Sequence, residues 1–194
     1  MNSNNLPKEK IVLASKSPRR AEILKAVGWE FEAIAADVDE TRNADEDAIS
    51  YVKRVATLKA DTVARRFPGE LVLAADTVVV SDEDILGQPR DDEDARRMLR
   101  VLSGRWHMVL TGVALVRLGN PPRALVEHAT TRVLFREMMP DEIDWYVSTE
   151  EPRGKAGAYA IQGRGALFIE GIQGDYFNVV GLPIRLVYDL SRRI

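Results

Sequence analysis

Apolar positions along the chain fall into unbroken runs, alternating runs and helical stripes. Residues 10–14 (KIVLA) form a short continuous apolar run, the pattern of a strand buried on both faces. Ser15-Lys16-Ser17 follows, then Pro18, so Ser17 is placed to cap a helix with Pro18 at its first position. That helix is predicted to run to about Val27, with Ile23, Leu24 and Val27 on one face and Gly28 ending it. Residues 29–35 alternate and predict a second strand, and 37–43 form an acidic loop. Residues 45–66 carry Ile49, Val52, Val55, Ala56 and Lys59 near helical spacing, and Pro68-Gly69 stops the helix they predict. Residues 71–80 (LVLAADTVVV) predict a strongly apolar strand with one acidic interruption, Asp76, followed by a turn at 81–84.

A third helix is predicted at 91–102, opened by acids and closed by Ser103-Gly104. Residues 105–118 and 123–135, rich in Val, Leu and Thr, flank Gly119-Asn120-Pro121-Pro122 and predict a long antiparallel hairpin. Pro140 opens a helix to about Ser148, glycines at 154, 157, 163, 165, 171 and 174 predict loops, and 183–193 predict a C-terminal helix. The order is mixed α/β without regular βαβ alternation, so a doubly wound sheet is not the first expectation. No internal repeat or low-complexity segment is visible.

The length of 194 residues and 45% apolar content suffice for one compact domain, 1–194, or one domain with two lobes. A net charge of -3 excludes a strong global pull towards nucleic acid or acidic membranes, so any anion site has to be a local basic cluster. With no cysteine, disulfides and thiolate sites are excluded, and His107 and His128 are too few for a His-rich metal site. A catalytic metal would sit on carboxylate oxygens, which favours Mg²⁺ or Mn²⁺. No apolar run approaches the roughly 20 residues that span a bilayer. The polar stretch 1–10 lacks the apolar core of a signal peptide, and a cytoplasmic location is the expectation.

Three constellations carry candidate chemistry. Ser15-Lys16-Ser17-Pro18-Arg19-Arg20 follows a strand and opens a helix, where unpaired N–H groups, two guanidinium forks and two hydroxyls suit phosphate. The same residues also suit a capped helix with solvated arginines. Asp76 interrupts a run otherwise fit for a sheet core, and an unpaired buried carboxylate is costly. It is therefore paired, bound to a metal, or at an edge facing water. Asp37, Asp39 and Glu40 read alone as a solvated loop, but beside Asp76 they complete an oxygen site for a divalent ion. Lys59 on the following helix and Lys155 on a Gly-flanked loop are anion candidates. Gln162 carries an amide donor and acceptor that match O4 and N3–H of uracil or thymine, or a backbone partner within its own loop. His107 and His128 have no serine or acid at triad spacing, and the P-loop and Rossmann glycine patterns are absent.

Taken together, LASKSPRR (13–20), Asp39-Glu40, VATLKA (55–60), LAADTVV (73–79), ILGQPRD (85–91), SGRWHMVLTGVAL (103–115) and 151–184 resemble the Maf family of nucleoside triphosphate pyrophosphatases. Members of this family are also described as septum-formation inhibitors. The resemblance covers nearly the whole chain in order. It implies an elongated mixed β-sheet with flanking helices, related to the inosine triphosphatases, with two lobes and a cleft between them. It implies hydrolysis between the α- and β-phosphates with a divalent metal, Mg²⁺ or Mn²⁺, and a homodimer. Asp76 matches the family's catalytic acid and Glu40 an acidic metal-site position. Ser15, Arg20, Lys59 and Lys155 match its polar and basic phosphate-site positions. Arg19, Thr77 and Gln162 occupy three positions that tune base choice, and their combination resembles the dTTP/UTP branch rather than the 7-methyl-GTP branch. Modified nucleotides as true substrates, or a non-catalytic nucleotide-binding regulator of division, are the rival expectations; nucleic-acid binding is not expected. One departure stands out. The family often carries lysine in an LGKP motif, and this chain has Gln88 there, so a cation that neutralises phosphate charge is missing.

Overall fold

The structure is a computed structural model that describes residues 10–82 and 84–194. The polar stretch ahead of Lys10, and Glu83 within the turn at 81–84, lie outside the described residues. A seven-stranded mixed sheet organises the chain. β1 (Ile11–Ala14) is followed by α1 (Pro18–Ala26), β2 (Phe31–Ile34), α2 (Ala48–Ala64) and β3 (Leu71–Ser81). β4 (Asp84–Leu86), α3 (Asp92–Leu102), β5 (Trp106–Arg117) and β6 (Arg123–Phe135) come next. α4 (Pro140–Ser148), β7 (Ile169–Gln173), α5 (Tyr176–Val180) and α6 (Ile184–Ser191) complete it, with 3-10 turns at Ala156–Ala158 and Gly163–Phe168. The strand order is β2-β1-β3-β5-β6-β7, with β4 on β3.

β1 runs parallel to both β2 and β3, with Ile11 opposite Phe31 and Leu71. The first three strands are thus joined by helical crossovers, as parallel pairing requires. The sequence reading understated this local βαβ character; the antiparallel remainder is where it holds. β4 pairs antiparallel with the end of β3, Val79 opposite Leu86, and β7 pairs antiparallel with β6.

The chain divides into two compact units. The first contains residues 1–76, 111–129 and 181–194; the second contains 77–110 and 130–180. In the first unit, Ala56, Ala60 and Ala64 of α2 recur every fourth residue and pack with Val12, Ala14, Val72, Ala74, Ala114 and Val116. Small side chains bring the helix close to the strands. Gly112 on β5 completes the approach, since a Cβ there would lie 2.2 Å from the Val52 carbonyl oxygen. Ile49, predicted on this buried face, is exposed, because it sits in the helix's first turn next to its Asp47 cap.

The second unit has its own core, built on Leu99, Leu102, Phe135, Tyr146, Tyr159 and Phe168. His107 is buried within it; its Nε2 lies 2.8 Å from the Tyr159 hydroxyl and its ring meets Phe135 edge to face. Burial lowers its pKa from 6.5 to about 4, against a smaller opposing pull from the Arg105 backbone, so it is held neutral.

Several predicted boundaries shift for local reasons. The strand predicted at 29–35 is only Phe31–Ile34, because Trp29 is taken up by the helix exit, its N–H donating to the Leu24 carbonyl. α2 starts at Ala48 because the Asp47 carboxylate accepts from the Ile49 and Ser50 N–H groups. Ser17 holds the N-cap position of α1 without a side-chain cap bond; the Ser15 hydroxyl accepts its N–H instead, at 3.1 Å. β4, β7 and α5, three to five residues each, were not predicted. Gly171 and Gly174 hide β7 in the sequence, since glycine carries no strand signal.

Candidate active site

Asp76 is the acidic interruption in β3, and it is 7% exposed. It lies between Ala75 and Thr77 in an otherwise apolar, buried strand. A buried carboxylate is tolerated when paired and hydrogen-bonded. Lys59 supplies that partner: its Nζ lies 2.8 Å from Asp76 Oδ1. The helical stripe that buries Ala56 and Ala60 also carries Lys59 to the strand.

Lys59 is shared. Its Nζ lies 2.8 Å from Glu40 Oε2 as well. The loop that delivers Glu40 is fixed from α2, where Tyr51 donates its hydroxyl to the Glu40 carbonyl at 2.9 Å and Arg54 donates to the Thr41 carbonyl at 2.9 Å. Asp39 is turned to its own loop, accepting the Thr41 N–H at 2.8 Å. Of the acidic loop residues read from the sequence, Glu40 is the one brought to Asp76 through Lys59. Burial pushes the Asp76 carboxyl above the usual carboxylate range. Lys59 pulls it down by charge and hydrogen bond, Arg20 adds a smaller pull, and Glu40 adds to the upward push. The Tyr51 hydroxyl is raised to about 12, first by burial and then by the charges of Asp76 and Glu40.

The turn between β1 and α1 also belongs to this unit. Arg20 donates through Nε to the Gly181 carbonyl at 2.9 Å and through Nη1 to the Ser15 hydroxyl at 3.2 Å. Two bonds therefore orient a planar fork. Burial lowers the pKa of Arg20, and the nearby Asp76 charge opposes that. Arg19 is half-buried on the same turn; burial lowers its pKa too, against Glu22. Ser15, Arg20, Glu40, Lys59 and Asp76 thus form one linked cluster.

The remaining candidates lie in the second unit. Thr77 follows Asp76 on β3 and is half-buried. Lys155 donates its ammonium to the Glu151 carbonyl. Gln162 is exposed at the N-cap of the 3-10 turn Gly163–Phe168 and makes no cap hydrogen bond with its side chain. Gln88 is exposed just after β4. Sequence reasoning missed Tyr51, Gly181, Tyr146 and Glu151. Their hydrogen-bond partners lie from 5 to 161 residues away, and no local pattern marks the pairing.

The donor set bears on a metal. Glu40 and Asp76 both reach one positive centre at 2.8 Å. Two carboxylates are the protein share of many Mg²⁺ sites, where substrate phosphates and water supply the rest. Among the described residues, no group of three acid or histidine side chains converges as a ready metal cage. The residues present fit a cation completed by phosphate oxygens.

Solved structures define the class of fold. The HAM1 protein from Coxiella burnetii superimposes with a TM-score of 0.55 over 96% of this chain and 100% of that one, at 17% identity. The Ham1 protein of Staphylococcus aureus gives 0.54 over 95% and 99%, at 15% identity. The chain has the fold of these proteins. The family model described as Maf-like protein matches residues 10–194, and the chain belongs to that family. A dTTP/UTP pyrophosphatase of Syntrophus aciditrophicus is 49% identical over 181 residues, 93% of this chain and 88% of the relative. The dTTP/UTP pyrophosphatase of Myxococcus xanthus is 51% identical over 174 residues, 90% and 87% respectively.

Proposed function

We propose that this chain hydrolyses dTTP and UTP to the nucleoside monophosphate and pyrophosphate. The observation that carries the proposal is the buried Asp76 carboxylate, held by Lys59 beside Glu40 and the oriented guanidinium of Arg20. A protein that only bound nucleotide would have no use for a desolvated acid with an elevated pKa among phosphate-binding cations. The names of the relatives support the substrate pair.

In this scheme Asp76 orients or deprotonates the attacking water, whose oxygen bonds to the α-phosphorus as its proton passes to Asp76 or to solvent. The bond from that phosphorus to the α–β bridging oxygen breaks, and pyrophosphate leaves. Arg20, Lys59 and Lys155 offset the charge gathering on the leaving group. The Ser15 hydroxyl and the start of α1 hold the phosphate chain. Arg19, Thr77 and Gln162 select the base, with the Gln162 amide matching O4 and N3–H of a pyrimidine. Asp76 and Glu40 would hold Mg²⁺ or Mn²⁺, which when bound polarises the phosphoryl oxygens.

Purified protein offered dTTP, UTP, dCTP, GTP and modified pyrimidine triphosphates, with and without Mg²⁺ or Mn²⁺, tests this. Pyrophosphate and monophosphate in equal amounts, fastest from dTTP and UTP and only with metal, is the expected result. Release of inorganic phosphate instead, or no turnover of either nucleotide, overturns it.

A further inference from the structure

A 3-10 or α-helical turn begins with N–H groups that its N-cap side chain usually satisfies. The turn Gly163–Phe168 has Gln162 at that position, and Gln162 does not do so. Glu151 takes its place from a distant segment. Its Oε2 accepts the Arg164 N–H at 3.0 Å and its Oε1 accepts the Gly165 N–H at 2.9 Å. Oε1 also accepts the hydroxyl of the fully buried Tyr146 at 2.9 Å. That hydroxyl in turn accepts the Ala160 N–H at 3.2 Å, so the segment is held on both sides of Gln162.

Two glycines make the wrap possible. A Cβ at Gly163 would stand 2.7 Å from Glu151 Oε2, and one at Gly165 would stand 2.3 Å from the Ala160 carbonyl oxygen. The carboxylate behaves as one settled in its ionised form: burial pushes its pKa up, but the two N–H groups and the Tyr146 hydroxyl carry it below the usual range. The same residue reaches another candidate of this unit, because its backbone carbonyl accepts the Lys155 ammonium.

We propose that Glu151 is a positioning residue for nucleotide recognition: by capping the Gly163–Phe168 turn from outside, it leaves the Gln162 amide to the base, and through its carbonyl it aims Lys155. This assignment rests on the dTTP/UTP activity proposed above and extends it to a residue that touches no substrate. Gln162 is exposed because its local duty has been taken over. Without the carboxylate, two first-turn N–H groups lose their partner, and Gln162 is the nearest side chain that can fold back to replace it.

Glu151→Ala and the isosteric Glu151→Gln test this, with Tyr146→Phe as a milder third variant. The expected result is a rise in KM for dTTP and UTP on the order of tenfold in Glu151→Ala, with a smaller change in kcat. The preference for dTTP over dCTP should shrink alongside, and Glu151→Gln should recover part of both, since its amide oxygen still accepts one N–H. Hydrogen exchange at the Arg164 and Gly165 amides should speed up in the same order. A variant that lowers kcat alone, with KM and base preference unchanged, overturns the proposal, as does unchanged exchange at those amides. If Glu151→Ala does not fold, Glu151→Gln and Tyr146→Phe decide by the same criteria. Wild-type protein that turns over neither nucleotide defeats the proposed function instead, and the exchange measurement still judges the cap.

Discussion

Lys59 Nζ lies 2.8 Å from Asp76 Oδ1 and 2.8 Å from Glu40 Oε2, so one ammonium bridges both acids proposed to hold a metal. A divalent cation held there would compete with the lysine for the same oxygens in the nucleotide-free protein. Removing one partner of a buried pair costs about 3–5 kcal/mol, because a charge is left uncompensated. Lys59→Met should melt at lower temperature than the wild type. Mn²⁺ alone should raise its melting temperature more than it raises that of the wild type, since a ligand that binds only the folded state stabilises it. Equal shifts in the two proteins would show that Lys59 does not stand in for the cation.

Asp76→Asn keeps the size of the side chain and removes its basicity. Its turnover of dTTP should fall by about 100-fold or more, within the range of general-base contributions. In the wild type, burial holds the Asp76 pKa above the usual carboxylate range, and kcat/KM should drop as pH falls through that elevated value. Steady-state profiles of both proteins check this. A variant with near-normal turnover removes Asp76 from the mechanism.

Gln88 stands where the family resemblance leads one to expect lysine. Restoring the cation in Gln88→Lys adds a charge that a triphosphate can use. KM for dTTP and UTP should fall several-fold, roughly the value of one exposed phosphate contact, and the fold should be untouched because Gln88 is exposed. An unchanged KM would mean that the other basic residues already saturate the phosphate chain.

His107 sets an acid limit on stability that is separate from catalysis. Its folded pKa, about 4, lies below the ordinary 6.5, so the unfolded chain binds more protons between those values. Stability is fully present above about pH 6.5 and is lost progressively as pH falls to about 4, by about 3 kcal/mol in all. Glu142, lowered to about 2 first by its hydrogen bond with Arg136, acts only in a more acidic window, below its ordinary value. Denaturant melts of wild type and His107→Gln between pH 7 and 4 should differ in slope, the variant being the flatter. Parallel curves would return the neutral histidine to an ordinary core residue.

Much of this fold was legible because local rules and tertiary packing agree. β1, α1 with Pro18 at its start, α2, the long β5–β6 pair and α4 all show the expected period or punctuation. Asp76 was legible as a disruption of an otherwise apolar strand. What stayed hidden depends on distance in space. Lys59 was legible as an anion candidate on the α2 stripe, but its pairing with Asp76 and Glu40 was not. Glu151 sits in an ordinary charged turn, and its two N–H partners lie 13 and 14 residues onward. β4 and β7 exist because neighbouring strands offer them hydrogen bonds, a cause absent from their own few residues.

Gly112 makes a related point in the first unit. A methyl group there would meet the Val52 carbonyl oxygen at 2.2 Å, and backbone cannot swing aside as a side chain can. Gly112→Ala should destabilise by about 1–3 kcal/mol and shift the helix that carries Lys59. Loss of activity in a still-folded Gly112→Ala protein, read by circular dichroism and pyrophosphate release, is the expected outcome; wild-type melting and turnover would refute it.

The bond from Arg20 to the Gly181 carbonyl spans 161 residues. A ribosome makes the chain from its N-terminus, so Arg20 emerges 161 residues ahead of its anchor. Until then the guanidinium has no Gly181 to hold it, and the turn proposed to bind phosphate lacks that anchor in every nascent chain. A product of premature termination before residue 181 can carry Ser15, Asp76 and Gln162 and still lack the carbonyl that holds Arg20 Nε. The order of synthesis thus sets an order of assembly: the Arg20 fork gains its second anchor only after residue 181 has been made.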